Sequence, residues 1–202
     1  MRNTKLITMI EGVIIAAIAV VLSFLPIQTG NAYFDLSLGL IPLGVYALRR
    51  GVGPGMAAGF LWGLLLILLG KAWFLSPIQV IIEYPVAFAF GGFGGIWAGK
   101  LRRHLLEDKA ANPVRTAISG AALRTVILAG VTSAVTRWIF HFIAGVVFWG
   151  DTAPEGMNIF LFSFIGNGGS ALANAIMLAV VLSILASKAR TLFLPKDRLT
   201  VG

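Results

Sequence analysis

The segment Pro77–Gly99 reads PIQVIIEYPVAFAFGGFGGIWAG, and Glu83 is the one charged side chain within its 23 residues. A helix needs about 20 mostly apolar residues to cross the hydrocarbon core of a bilayer. A membrane-spanning strand would instead alternate apolar and polar residues over about 10 positions. Because this run is apolar at nearly every position, it predicts a transmembrane helix that carries a single acidic residue.

The composition of the whole chain agrees with a membrane protein. Its 202 residues are 58% hydrophobic and 12% charged, with a mean hydropathy of +0.91. Soluble domains carry roughly 25% charged residues, so this chain has too few to cover a soluble fold. The absence of cysteine excludes a disulfide scaffold and a cysteine-based zinc site. The net charge of +8 lies between apolar blocks rather than along one face, so no nucleic-acid partner is expected.

Six apolar blocks predict an all-α membrane protein with six transmembrane helices in one domain spanning residues 1–202. We expect a retained first helix rather than a cleaved signal peptide, since no small-residue cleavage site precedes a polar region. The blocks lie at about residues 7–26, 36–48, 52–70, 77–99, 114–142 and 157–187.

Six spans place both termini on the same side of the membrane, and the basic residues identify that side as the cytoplasm. Lys71 is the only basic residue placed in the outer loops, which also contain Asp35, Asp151 and Glu155. The residues placed inside are Arg2, Lys5, Arg49, Arg50, Lys100, Arg102, Arg103, Lys109, Arg115, Lys188, Arg190, Lys196 and Arg198.

Ionisable residues at membrane depth are functional candidates because they are costly to bury in lipid. Glu83 shares a helix face with Gln79; it either faces a ligand or forms an ion pair with Arg137 or Arg124. Arg137 and His141 stand one helical turn apart. Glycines at 145 and 150 are expected to break the helix that carries these two residues.

Trp149 is either an interfacial anchor or an aromatic wall of a site. In the last block, Ser163, Asn167, Ser170 and Asn174 form one polar stripe. We assign Asn167 to a ligand, and Ser170 and Asn174 to helix packing.

These residues predict a site for a small organic cation in the outer half of the bundle. A carboxylate supplies the negative charge, and aromatic faces attract cations. No nucleophile motif, ATP-binding loop or metal-ligand cluster is present, so we expect neither catalysis, a cofactor nor a metal. The predicted group is Glu83, Gln79, Tyr84, His141, Asn167, Trp62, Trp73 and Trp149.

Small residues form a stripe along the first helix at Gly12, Ala16, Ala19 and Ser23. Such a stripe lets another helix approach closely. The neighbour is either a helix of this chain or a separate membrane partner.

Several segments together resemble the thiamine-specific S component of energy-coupling factor (ECF) vitamin transporters, over nearly the whole chain. They are GFLWGLL at 59–65, IEY at 82–84, WIFHFIAGVVFWG at 138–150, APEG at 153–156 and NGG at 167–169. The resemblance implies a six-helix protein of the bacterial cell membrane that binds thiamine from outside. It also implies partners: one transmembrane coupling protein and two ATPase subunits.

The resemblance carries over to particular residues. Glu83, Tyr84, His141, Trp149 and Asn167 match positions that line the thiamine pocket of that family. Trp73 and Trp62 fall near it, and Tyr33 matches an aromatic residue associated with pocket closure. The small-residue stripe of the first helix resembles the surface presented to the coupling protein.

Two positions depart from the family pattern, because Arg137 stands where a lysine is expected and Phe162 where a tyrosine is expected. The alternative function is an S component for another vitamin or small organic cation.

Overall fold

A computed structural model describes residues 3–25, 35–111 and 117–198, which fold into helices without any β-strand. Six helical rods account for most of these residues. They are α1 (Thr4–Ser23), α2 (Leu40–Arg50), α3 (Val52–Leu68), α4 (Pro77–Ala111), α5 (Gly120–Phe148) and α6 (Ile159–Lys188). Short 3₁₀ turns lie at Gly150–Thr152, Arg190–Leu192 and Lys196–Arg198.

Four of these rods, among the described residues, are long and apolar enough to cross a membrane: α1, α4, α5 and α6. Helix α3 is apolar but has 17 residues, and α2 has 11. Both are shorter than the roughly 20 residues that a perpendicular span requires. The structure therefore supports a helical membrane protein, and the count of six spans remains a prediction.

Helix α4 differs most from the sequence prediction. It contains a π-helical turn at Ile82–Val86 and a 3₁₀ turn at Phe93–Trp97, and it continues to Ala111 instead of ending near residue 99. The extension is stable as a helix because Leu101 and Leu105, four residues apart, are both buried against the bundle.

The other bounds shift by a few residues. Helix α1 begins and ends three residues earlier than predicted, and α2 covers 40–50 rather than 36–48. Helix α5 begins at Gly120 and continues through Gly145, where a break was expected. A glycine inside a helix costs only about 1 kcal/mol relative to alanine, and Gly145 is buried against α6.

Glycines let α3 lie directly against α4. Gly55, Gly59 and Gly63 recur every four residues and so form one stripe on α3. A Cβ at Gly59 would overlap the carbonyl oxygen of Phe88, and one at Gly63 would overlap the backbone of Tyr84. This close approach positions the π-helical turn of α4.

An ionic cluster closes the end of the bundle where α1 begins and α2 ends. Arg50 is 2% exposed and donates to both Glu11 (2.6 and 2.8 Å) and Asp197 (2.8 and 3.0 Å). Arg49 also pairs with Glu11 at 3.1 Å. The hydrogen bond from Arg50 lowers the pKa of Asp197 below its usual value. The cluster ties α1, α2 and the residues after α6 together.

The small-residue stripe of α1 faces the interior of this chain. Gly12, Ala16 and Ala19 are buried, and the Tyr46 side chain of α2 lies against Gly12. Ser23 accepts a hydrogen bond from the Trp62 indole at 3.1 Å. In this structure the stripe makes the contact between α1 and its own neighbours, α2 and α3, and its role in partner docking stays a prediction.

We predict that Ala16→Trp destabilises the protein whereas Ala17→Trp does not. Ala16 is 1% exposed in the core, and Ala17 lies on the exposed face of the same turn. Forcing a large side chain into a packed interior costs typically 1–3 kcal/mol. Thermal unfolding of the two purified variants in one detergent measures the difference. Equal melting temperatures would contradict the burial of this stripe.

Candidate functional site

A cavity of about 600 Å³ lies at the end of the bundle opposite the ionic cluster. The last turns of α1 and α3, the start of α2, the first half of α4, the second half of α5 and the first half of α6 surround it. Pockets that hold small organic ligands have volumes of about 300–1,000 Å³. The cavity is therefore large enough for a ligand of one or two rings.

Glu83 reaches this cavity with neutral hydrogen-bond partners. Its Oε1 accepts from the Trp149 indole nitrogen at 2.8 Å, and its Oε2 accepts from the side-chain amide of Gln79. Glu83 forms no ion pair with the described residues. The alternative pairing with Arg137 is wrong, because Arg137 pairs with Asp35 at 3.2 Å.

The π-helical turn Ile82–Val86 carries Glu83 and Tyr84 to the cavity wall. Pro85 lies inside this turn and has no N–H to donate to the preceding turn of α4. Single π-helical turns within α-helices are frequent at functional sites. Here the turn contains two consecutive residues that both line the cavity.

Gln79 is buried behind the cavity wall, where its side chain holds Glu83 by a hydrogen bond. It is 0% exposed; its Nε2 donates to the Trp73 carbonyl at 3.1 Å as well as to Glu83. Its Oε1 accepts from the amide of Leu75 at 3.1 Å. The Tyr84 hydroxyl accepts from the amide of Trp73 at 2.8 Å. The segment before α4 is thereby fixed, with the Trp73 ring at the cavity.

Aromatic rings form the wall next to Glu83. Tyr84 stacks on Phe88 with ring centroids 5.8 Å apart, and His141 meets Phe88 at 6.3 Å. Trp62 was predicted at the site, but it is 0% exposed and packs edge-on behind Phe88 at 4.4 Å. Trp62 therefore supports the wall and does not line the cavity.

Two ring nitrogens at the cavity have no hydrogen-bond partner among the described residues: His141 Nε2 and Trp138 Nε1. Both side chains line the cavity. Buried polar atoms are nearly always paired in folded proteins. These two nitrogens therefore lack a partner within the described residues, although each is covered by its neighbours.

All four residues of the polar stripe of α6 line the cavity, and two of them also bind the segment before α2. Asn167 lines the cavity and donates to Ser163 Oγ at 3.2 Å. Ser170 Oγ accepts from the backbone N–H of Asp35 at 2.9 Å, and Asn174 Nδ2 donates to the backbone carbonyl of Asp35 at 2.7 Å. Ser170 and Asn174, assigned to helix packing, thus also anchor this segment to α6.

The cavity brings together most of the predicted residues. Those that line it are Glu83, Tyr84, His141, Trp149, Asn167, Arg137 and Trp73, whereas Gln79 and Trp62 stand behind it. Ser23, predicted for partner docking, also lines it. Tyr33 lies outside the described residues. Within the part of the chain that is described, no three His, Asp or Glu side chains converge as a metal site.

Many lining residues were not among the predicted site residues, and the charged and aromatic ones include Asp35, Phe88 and Trp138. Phe88 could have been found, because it lies four residues after Tyr84 and so shares its helix face. Trp138 precedes His141 by three residues, which also places the two on one side of α5. Asp35 has no such signal, since its position depends on bonds to α6.

Comparisons with family models and with known proteins point to the same family. The family model described as "Thiamine transporter protein (Thia_YuaJ)" matches residues 9–194. The chain is 38% identical over 199 residues to the thiamine transporter ThiT of Lacticaseibacillus paracasei, covering 97% of this chain and 94% of that protein. It is 29% identical over 189 residues to ThiT of Bacillus subtilis, covering 91% and 92%.

A solved structure of ThiT from Listeria monocytogenes has a similar fold, with a TM-score of 0.85 at 40% sequence identity. The similarity covers 96% of this chain and 100% of the other.

We predict that two variants release two different backbone amides before α4. Gln79→Leu removes the acceptor of the Leu75 amide and leaves that of the Trp73 amide; Tyr84→Phe does the reverse. Amides that lose an acceptor exchange with solvent faster. Residue-resolved hydrogen exchange in lipid nanodiscs measures both sites, and each variant is the control for the other. Unchanged exchange at Leu75 in Gln79→Leu would contradict the hydrogen bond from the Leu75 amide to Gln79.

Proposed function

We propose, because this chain belongs to the thiamine transporter family, that it captures thiamine from outside the cell and hands it to an ECF transporter. It is a transport protein rather than an enzyme. In this proposal the chain is one six-helix domain of the bacterial cell membrane with both termini in the cytoplasm. It serves as the thiamine-specific S component.

The carboxylate of Glu83 carries the proposal. Its hydrogen-bond partners, Gln79 and Trp149, are neutral, and it faces a cavity walled by aromatic rings. A carboxylate removed from water is stabilised by a positive charge nearby. Thiamine has a thiazolium ring with a permanent positive charge, and aromatic faces add about 0.5–2 kcal/mol of attraction to a cation.

Each part of thiamine has a suitable neighbour. The thiazolium ring lies beside Glu83 and stacks on Trp149. His141, with its unpaired Nε2, and Asn167 donate to or accept from the ring nitrogens and the amino group. Tyr84 and Trp73 complete the aromatic wall. Arg137 lines the cavity beside Phe88, where it is paired with Asp35.

The charge distribution supports the proposed orientation. The ionic cluster of Arg49, Arg50 and Glu11 lies at the end of the bundle opposite the cavity. Basic residues favour the cytoplasmic side of membrane proteins, so the cavity faces outside. The short helices α2 and α3, joined at Gly51, are the two further spans in this arrangement, tilted or supported by their neighbours.

Energy for transport comes from partners, since the sequence contains no ATP-binding loop. We propose one transmembrane coupling protein and two ATPase subunits, as the family resemblance implies. Gly12, Ala16 and Ala19 of the α1 stripe are covered by helices of this chain, so they do not by themselves support a docking surface. The proposal of coupling therefore rests on family membership.

An S component for another vitamin is the second candidate, because the cavity chemistry decides the ligand within a shared fold. Riboflavin and biotin lack a permanent positive charge, so neither neutralises Glu83. Thiamine diphosphate shares the thiazolium ring but adds negative charge. Equilibrium binding of these four compounds, read by the fluorescence of Trp149 and the other tryptophans, separates the candidates.

We predict that Glu83→Gln weakens thiamine binding by roughly 30-fold or more, because truncating one partner of a buried charge pair costs about 2–5 kcal/mol. The substitution keeps the shape of the side chain and removes its charge. Titration of the purified protein by tryptophan fluorescence gives the Kd.

Glu155→Gln is the matched control, since Glu155 is an exposed acidic residue outside the cavity. It should leave the Kd within about twofold, as is usual for an exposed charge in water. An unchanged Kd in Glu83→Gln, with a folded protein, would remove Glu83 from the site.

A further inference from the structure

We propose that Asp35 determines the specificity of this site for cations by neutralising Arg137. With Arg137 compensated, Glu83 provides the negative charge that a ligand meets on entering the cavity. The inference rests on the proposed function and names a residue, outside the predicted site, that sets the preference for charged over uncharged ligands.

The ion pair lies in the wall of the cavity. Arg137 Nη2 is 3.2 Å from Asp35 Oδ2, and both residues line the cavity. The Arg137 side chain is 9% exposed, whereas that of Asp35 is 61% exposed. The guanidinium lies 4.6 Å from the centre of the Phe88 ring, which also contacts Tyr84 and His141. In the proposed complex the Phe88 ring therefore lies between Arg137 and the ligand.

The formal charges of the described lining show what Asp35 contributes. Two acidic residues, Asp35 and Glu83, and two basic residues, Arg137 and Lys71, line the cavity. Lys71 is exposed and lies over the Phe24 ring at 4.5 Å. Without the Asp35 carboxylate the balance becomes positive, and the charge of Arg137 is left buried beside the aromatic wall. Charges in such a partly desolvated site act over several ångströms.

The position of Asp35 is set by its backbone and not by its side chain. Its N–H donates to Ser170 Oγ at 2.9 Å, and its carbonyl accepts from Asn174 Nδ2 at 2.7 Å. The N–H of Ser37 donates to Asn174 Oδ1 at 2.9 Å. Because none of these bonds uses the carboxylate, Asp35→Asn keeps the segment in place and removes the negative charge that faces Arg137.

The test compares a cation with an uncharged ligand of the same shape. The probes are thiamine and its analogue in which a neutral thiophene ring replaces the thiazolium ring. We expect Asp35→Asn to raise the Kd of thiamine about tenfold, as one uncompensated charge at several ångströms predicts. The Kd of the neutral analogue should change by less than about twofold.

A second variant tests the same charge balance with thiamine alone. Arg137→Gln added to Asp35→Asn removes the uncompensated charge, so the double variant should bind thiamine more tightly than Asp35→Asn does. Asp151→Asn is the matched control, because Asp151 is an exposed acidic residue outside the cavity lining. It should leave both Kd values unchanged.

Three results would overturn the inference. The first is an unchanged thiamine Kd in Asp35→Asn, and the second is an equal loss for both probes. The third is a double variant that binds thiamine no better than Asp35→Asn, which would make Arg137 a direct ligand contact. Failure of the wild-type protein to bind thiamine would instead refute the proposed function, so the two failures are distinguishable.

Discussion

One carboxylate with neutral partners is the constraint on which the proposed chemistry of this cavity depends. Glu83 accepts hydrogen bonds from an amide and an indole and faces a space walled by rings. The two basic residues of the described lining are engaged elsewhere, Arg137 with Asp35 and Lys71 with the Phe24 ring. In the proposed complex a cationic ring supplies the missing counter-charge, which agrees with membership of the thiamine transporter family.

Several contacts between the helices position the residues around that carboxylate. The glycine stripe of α3 allows α4 to approach closely enough for its π-helical turn to face the cavity. Gln79 fixes Glu83 and the Trp73 segment together. On the opposite wall, α6 anchors Asp35 through Ser170 and Asn174. At the other end, the cluster around Arg50 joins α1 and α2 to the end of the chain.

Sequence alone predicts the helical membrane class and several of the polar and aromatic residues that the structure places around the cavity, because both depend on local patterns. Apolar runs mark the helices, and an acidic residue within such a run marks Glu83. The roles of Gln79, Trp62 and Asp35 depend on contacts between segments, which no spacing rule reveals. The same reason applies to α1, where Ala16 and Ala17 are adjacent in sequence and only packing decides which one is buried.

A structure of the protein with thiamine bound, in a lipid environment, tests the central claim most directly. The account predicts the thiazolium ring within about 4–6 Å of the Glu83 carboxylate, on the Trp149 side of the cavity, with Arg137 still paired to Asp35. A thiamine molecule bound elsewhere, or a Glu83 carboxylate paired to Arg137 while the ligand is bound, would contradict it.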